Sequence, residues 1–297
     1  MRSAATHALP VPAAPGQTVT DTPDSAMRAL SPLGRRRATM HGRAPKTLLI
    51  SLATVAVALA AWGVATQTGL VKPLFLPRPE SVLKAFADAV EGRIDGAPLL
   101  EHVAMSLVRV AGAFLLAALI GIPVGLATGL SPTLRAVLDP FIEFYRPLPP
   151  LAYLPLVIIW FGIGETSKIL LIFLACFAPV ALAARAGVAA ASADQINAAR
   201  ALGASRAQVV RHVVLPAALP DILVGLRIGM GVGWTTLVAA EMVAASTGIG
   251  QMVLNASNFL RTDIVIMGIL VIGALAGAFE LGMRRLERRL TPWKGKA

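Results

Sequence analysis

The sequence predicts an all-α integral membrane protein of about six transmembrane helices, and three observations carry that prediction. Hydrophobic residues make up 56% of the chain and charged residues only 14%, with a mean hydropathy of +0.71, whereas an ordinary soluble domain has roughly 25% charged residues. Several uncharged stretches are long enough for a hydrocarbon core of about 30 Å, which takes about 20 helical residues to cross. The Lys and Arg gather beside these stretches rather than being spread evenly along the chain.

In chain order, residues 1–46 are rich in Ala, Pro, Ser and Arg and lack hydrophobic periodicity. Arg35, Arg36, Arg37, Arg43 and Lys46 crowd toward their end, which predicts a disordered basic cytoplasmic tail. The apolar run 47–71 is too long for the core of a signal peptide and has no convincing cleavage site, so it is taken as the first span. A periplasmic segment, 72–105, mixes Lys72, Lys84 and Arg93 with Glu80, Asp88, Glu91 and Asp95. Residues 106–285 form the core, with five further spans. The second span, 110–134, is bracketed by Arg109 and Arg135. The third, 136–161, carries Asp139, Glu143 and Arg146 with Pro147, Pro149, Pro150 and Pro155, which predicts a kinked helix. The fourth, fifth and sixth cover 168–184, 222–243 and 264–282. A cytoplasmic loop, 186–221, lies between the fourth and fifth, and a cytoplasmic tail, 286–297, ends the chain.

The formal charge of +11 would suggest a nucleic-acid partner in a soluble protein. Here most of the 27 Lys and Arg lie in the N-terminal tail, near Arg135, between Arg185 and Asp221, and in the C-terminal tail. Such a bias orients a membrane protein with those segments, and both termini, in the cytoplasm of a bacterial inner-membrane protein. No aromatic-basic stripe exists on which bases could stack, so nucleic acid is not the expected partner; membrane lipid is. Four His and the lone Cys176 offer neither a disulfide framework nor a metal cluster, and Cys176, inside an apolar run, is read as a packing residue.

Gly121, Gly125 and Gly129 repeat every four residues, as do Gly225, Gly229 and Gly233. Each triplet lines one helical face, and small residues at this spacing let helix backbones approach closely in lipid, here within a compact bundle. Catalytic signatures are absent: there is no phosphate loop, no H-E-x-x-H zinc pair and no G-x-S-x-G nucleophile turn. No enzyme, cofactor or catalytic residue is therefore expected. Uphill transport would draw on an ion gradient or on a partner that hydrolyses ATP.

The loop between the fourth and fifth spans reads Asn197-Ala198-Ala199-Arg200-Ala201-Leu202-Gly203-Ala204-Ser205, followed by Val213-Val214-Leu215-Pro216. This pattern predicts a short helix, a glycine break and a second helix, with Ala198, Ala199 and Leu202 on one apolar face. Pro216 and Pro220 limit how the chain enters the next span. A small apolar face on a polar loop calls for a partner.

This segment resembles the signature of permeases of ATP-binding-cassette importers: E-A-A, a glycine four residues beyond the second alanine, and I-x-L-P after nine more. Asn197, Ala198, Ala199, Gly203, Val213, Leu215 and Pro216 fit the spacing, with Asn197 in place of the acidic residue and Val213 in place of Ile. The likeness runs from about residue 74 to the C-terminus. Leu76-Pro77-Arg78-Pro79-Glu80-Ser81-Val82 is similar to the L-P-x-P-x-x-V of the nitrate, sulfonate and taurine group. Arg146-Pro147-Leu148-Pro149-Pro150-Leu151-Ala152 and Trp160-Phe161-Gly162-Ile163-Gly164 resemble the third span of that group. The run from Gly231 to Glu241 and the tail Arg289-Leu290-Thr291-Pro292-Trp293-Lys294-Gly295 resemble the taurine permeases within it. The resemblance implies a type I importer permease that forms a homodimer and passes taurine or a related small sulfonate. It also implies two copies of a cytoplasmic ATPase subunit and a periplasmic binding protein. The coupling helix would comprise Asn197, Ala198, Ala199, Leu202, Gly203 and Ala204, with Val213, Leu215 and Pro216 beyond it.

Polar groups within a span favour the bundle interior, which makes Trp234, Thr235, Thr236 and Glu241 of the fifth span candidates for the translocation pathway. Trp234 fits plain packing equally well. Glu241 would repel a sulfonate, so a structural hydrogen bond or a gate contact suits it better than direct binding. Arg227 lies near the cytoplasmic end and can snorkel to the headgroups. Nitrate, other alkanesulfonates or a nitrogen heterocycle are alternative substrates within the group. A gradient-driven transporter would need internal repeats, which are not visible, and a plain membrane anchor would leave the loop unexplained.

Overall fold

The computed structural model describes residues 44–293, and no strand occurs among them. In chain order the helices are α1 (Ala44–Gln67), α2 (Pro79–Val90), α3 (Leu99–Leu130), α4 (Pro132–Tyr145), α5 (Pro150–Phe161), α6 (Glu165–Val188), α7 (Ala193–Ala201), α8 (Arg206–Val209), α9 (Leu215–Ala244), α10 (Ile249–Asn258) and α11 (Thr262–Leu290). The predicted basic tail, up to residue 43, and the last residues of the C-terminal motif, Lys294 and Gly295 among them, lie outside the described residues. The described residues up to Val57 belong to one unit, and Ala58 onward form a second, which holds the helix bundle.

Among the described residues, five helices are long and apolar enough to cross a membrane: Leu49–Gln67, Leu99–Leu130, Glu165–Val188, Arg206–Ala244 and Thr262–Leu290. The remaining expected span, 136–161, is not one kinked helix but two. α4 and α5 have 14 and 12 residues, the latter about 18 Å long and too short to cross alone. Between them, Pro147 and Pro149 cannot donate to the helix ladder; Arg146 still has helical angles, and the chain turns extended at Pro149, ahead of Pro150 (φ −60°, ψ 132°). Ser131 starts α4 by accepting the Leu134 N–H, and Pro132 stands in the first turn, where its missing N–H costs nothing.

Contacts along α3 and α6 show why this broken pair must still traverse the bundle. Arg109 meets Glu165, Gly121 faces Phe177 and Val180, and Gly129 faces Arg185 and Val188, so the two helices run parallel. The chain leaving α3 at one end must therefore return to the other end before α6 begins. α9 runs antiparallel to α6: Gly187 lies on Ala218, Gly229 on Cys176, and Ala244 on Lys168.

α6 is thus the central helix, packed between α3 and α9, and both glycine triplets face it. A Cβ on Gly125 would collide with the Ala181 carbonyl, and one on Gly233 would stand 2.7 Å from Cys176 Sγ. Cys176 is itself buried and donates to the Gly229 carbonyl over 3.2 Å. The apolar core here is made of Val110, Ala113, Ala117, Ile172, Cys176, Met230, Trp234 and Leu237. α2 is amphipathic and lays Val82, Ala85 and Ala89 against Met252, Ala256, Ile264 and Met267 of α10 and α11.

Several helices begin before the apolar runs that signal them, whereas the first two end earlier than expected, at Gln67 and Leu130. The fifth predicted span begins at residue 222, yet a continuous 39-residue helix runs from Arg206 to Ala244. Pro216 lies in the first turn of α9 after a π-helical turn, Val210–Val214, and Pro220 is accommodated inside the helix. Neither proline stops it: the π-helical turn lies where the Pro216 ring would meet the preceding turn, and Pro220 leaves only the Pro216 carbonyl without its helical donor.

Candidate functional site

Two clusters stand at opposite ends of the bundle. At the end where α6 stops and α9 begins, the loop folds on itself. Ser192 and Gln195 form a capping box that starts α7, and Ser205 and Gln208 form another for α8. Between them Gly203 has φ +83°; its N–H donates to the Arg200 carbonyl at 2.9 Å and the Ala204 N–H to the Ala199 carbonyl at 3.1 Å. This is a Schellman stop, which requires a left-handed residue that glycine supplies without strain.

The predicted apolar face of α7 is divided by this packing. Ile196, Ala199 and Ala204 turn inward onto Ala191, Val209 and Val214, joined by Val213. Asn197 and Ala198 face outward with Leu202, whose side chain is 90% exposed. At the start of α9 Leu215 is exposed and Pro216 half-buried. The loop therefore buries one part of its apolar residues to hold its shape and offers the other part to solvent.

At the opposite end, α3, α6 and α9 meet in a buried ion network that the sequence reading did not find. Arg109, 1% exposed, grips Glu165 with Nε at 2.6 Å and Nη2 at 2.8 Å. Its Nη1 donates to Glu241 Oε1 at 2.8 Å and to the Thr247 carbonyl at 2.6 Å. Glu241 is wholly buried and also accepts from Ser106 Oγ at 2.7 Å and from the Gly250 N–H at 2.9 Å. Lys168 pairs with Glu165 and donates to the Ala244 carbonyl, closing the end of α9. Ser106 Oγ accepts the Ile249 N–H, and His102 Nδ1 accepts the Gly248 N–H. Two cations and two carboxylates balance, so the cluster places no net charge in the low-dielectric interior.

Gly248 makes this closure possible. Its φ is +143°, and a Cβ there would stand 2.5 Å from the Glu241 carboxyl and 2.8 Å from Arg109 Nη1. His102, Ser106 and Arg109 are spaced four and three residues apart, on the face that continues through Ala113, Ala117 and Gly121. That periodicity is legible in the sequence, but treating Arg109 as a span boundary hid it; the buried face begins at Leu99, ten residues earlier.

The four polar residues proposed from the fifth span do not share one open surface. Trp234 is buried in the core, and its Nε1 finds no partner among the described residues. Thr236 is buried and returns its hydroxyl to the Val232 carbonyl at 2.9 Å. Glu241 belongs to the ion network. Thr235 alone of the four is exposed. Arg227 pairs with Glu280 and Glu287 of α11. Among the described residues, no group of His, Cys, Asp and Glu is arranged to hold a metal ion.

Comparison with known proteins agrees with this architecture. The chain is 56% identical to the taurine transport system permease protein TauC of Escherichia coli (strain K12) over 84% of this chain and 92% of that protein. It is 37% identical to the putative aliphatic sulfonates transport permease protein SsuC of Bacillus subtilis (strain 168), over 80% of this chain and 85% of the relative. A solved structure of the MetNI methionine ABC transporter in inward-facing conformations aligns with TM-score 0.57 and 21% identity, covering 65% of this chain and 96% of that chain, a likeness of fold. The family described as binding-protein-dependent transport system inner membrane component matches residues 117–292, and the chain belongs to that family.

Proposed function

We propose that this chain is the transmembrane permease subunit of an ATP-driven importer for taurine or a closely related small sulfonate. The observation that carries the reading is the exposed apolar tip of α7: Ala198 and Leu202 stand uncovered on a helix whose shape is fixed by two capping boxes and a Schellman turn. A rigid helix with an uncovered leucine suits docking into a groove of a second protein. The importer family supplies such a partner in its ATPase. The substrate class rests on the 56% identity to a taurine permease and the 37% identity to a sulfonate permease.

In this reading the α7 end faces the cytoplasm, in keeping with the basic residues Arg200, Arg206, Arg211, Arg284, Arg285, Arg288 and Arg289 around it. The ion network then lies at the periplasmic end, toward a periplasmic binding protein. Two copies of the chain form one pathway above two copies of the ATPase, and this chain hydrolyses nothing. ATP binding draws the two α7 helices together and tilts the bundles outward-open, and hydrolysis resets them.

The test is uptake of labelled taurine into proteoliposomes that hold this chain, the ATPase and the binding protein. Uptake that needs ATP and all three components, and is competed by short sulfonates, is expected. Uptake without the ATPase would overturn the importer reading; ATP-dependent uptake of a different solute would overturn the substrate alone.

A further inference from the structure

The break between α4 and α5 places a cation halfway through the bundle, where the ion network has no part. A cavity of about 400 Å³ opens there, lined by Tyr145, Arg146 and Tyr153 with residues 174–183 of α6 and Ile228 and Val232 of α9. Its volume lies within the ~300–1,000 Å³ common for small-molecule sites. Its depth is fixed by a hydrogen bond from Tyr145 Oη to the Leu174 carbonyl, 2.8 Å long, near the middle of α6. Thr235 lies on the same exposed face of α9 as Ile228, one and two helical turns beyond Val232 and Ile228.

The charge in this cavity is uncompensated. Among the described residues the Arg146 guanidinium makes no hydrogen bond or ion pair, and no carboxylate lines the cavity. The nearest acidic side chains on α4, Asp139 and Glu143, are both directed to Arg185. The Tyr153 hydroxyl likewise has no partner among the described residues, whereas that of Tyr145 is already bonded. An ionisable group within the membrane is costly unless it is paired or faces a pathway. Arg109, Lys168, Arg185 and Arg227 are paired; Arg146 faces open space.

We infer that the cavity at the α4–α5 break is a transit site for a small sulfonate anion, held by the Arg146 guanidinium and the Tyr153 hydroxyl. A sulfonate stays ionised at every physiological pH, so a fixed cation beside its path offsets part of the cost of leaving bulk water. A guanidinium fork matches two of its oxygens, and a phenol donates to the third. One cation without a second is also weak enough to release its ligand, as a transit site must. The apolar wall of α6 gives the short carbon chain its contact and favours a compact sulfonate over a long polar solute.

This inference rests on the importer reading, and one experiment separates the two. In proteoliposomes with the full complex, labelled taurine uptake is measured alongside ATPase stimulation by the taurine-loaded binding protein. Arg146→Gln is expected to lower uptake at least fivefold while stimulated ATPase activity stays within twofold of wild type, and Arg146→Lys to recover part of the uptake. A smaller loss, or a parallel fall in ATPase activity, overturns the transit site and leaves the importer reading standing. Failure of the wild-type complex to take up taurine removes both. Should Arg146→Gln not assemble, Tyr153→Phe decides, since it breaks no internal hydrogen bond: a loss of at least twofold is expected, and unchanged uptake overturns the assignment.

Discussion

At one end of the bundle Arg109, Glu165, Lys168 and Glu241 pair with one another across three helices, and Arg109, Lys168 and Glu241 are fully buried. At the other end Asn197, Ala198 and Leu202 stand in the open on the nine-residue helix α7 and its cap. The first end has few unmet valences and joins α3, α6 and α9 into one body. The second uses part of its apolar surface to hold its shape and leaves the remainder exposed. Substitutions at the first should therefore act on folding, and those at the second on transport in a protein that still folds.

The largest expected effect tests the first half of that contrast. Glu241→Ala leaves Ser106 Oγ and the Gly250 N–H without their acceptor and Arg109 Nη1 with the Thr247 carbonyl but no carboxylate, and stripping one partner from a buried pair costs about 3–5 kcal/mol. The folded fraction recovered in detergent, followed by size exclusion and thermal unfolding, should fall sharply. A normal yield with an unchanged Tm would mean that the network does not hold this end together. Next comes Gly248→Ala, which forces a side chain into φ +143° against the Glu241 carboxyl. Backbone strain alone costs roughly 1–3 kcal/mol, so a Tm depressed by several degrees is expected, short of the loss at Glu241.

Gly203→Pro sharpens the other half. Proline holds φ near about −65° and has no N–H, whereas Gly203 needs +83° and donates to Arg200. α7 should be misdirected, with taurine uptake down at least tenfold and the detergent-extracted bundle melting close to wild type. A mutant that transports normally would sever α7 from coupling. The smallest effect belongs to Thr236→Val, whose hydroxyl bonds only within its own helix to the Val232 carbonyl. Uptake should stay within twofold and stability within about 1 kcal/mol; a marked loss of uptake would return Thr236 to the pathway.

Most of the helices were legible because lipid selects for long apolar runs, and the glycine triplets already marked the faces that press on α6. Bounds were less legible. Hydropathy registers where charge is absent, so it stopped the second span at Arg109 and the fourth at Lys168, both of which lie inside their helices once their partners are known. The third span read as one kinked helix because proline positions tell where a helix is interrupted, not whether the two pieces remain continuous. Of the residues chosen for the pathway, Trp234 and Thr236 are polar in composition yet buried in packing, and no pattern along one helix distinguishes those cases.

By itself the sequence determined the solvent, the helical class, the glycine break at Gly203 and the resemblance to importer permeases, since each of these is written in local composition or in a spacing of a few residues. The tertiary structure decided that Arg109 reaches Glu241 across 132 positions, that Ala199 turns inward while Ala198 and Leu202 turn out, and that Arg146 is left facing a cavity. Those outcomes depend on which helix faces which. That is set by close packing of the whole bundle, because a charge in lipid is stable only where distant parts of the chain bring it a partner or open a path beside it.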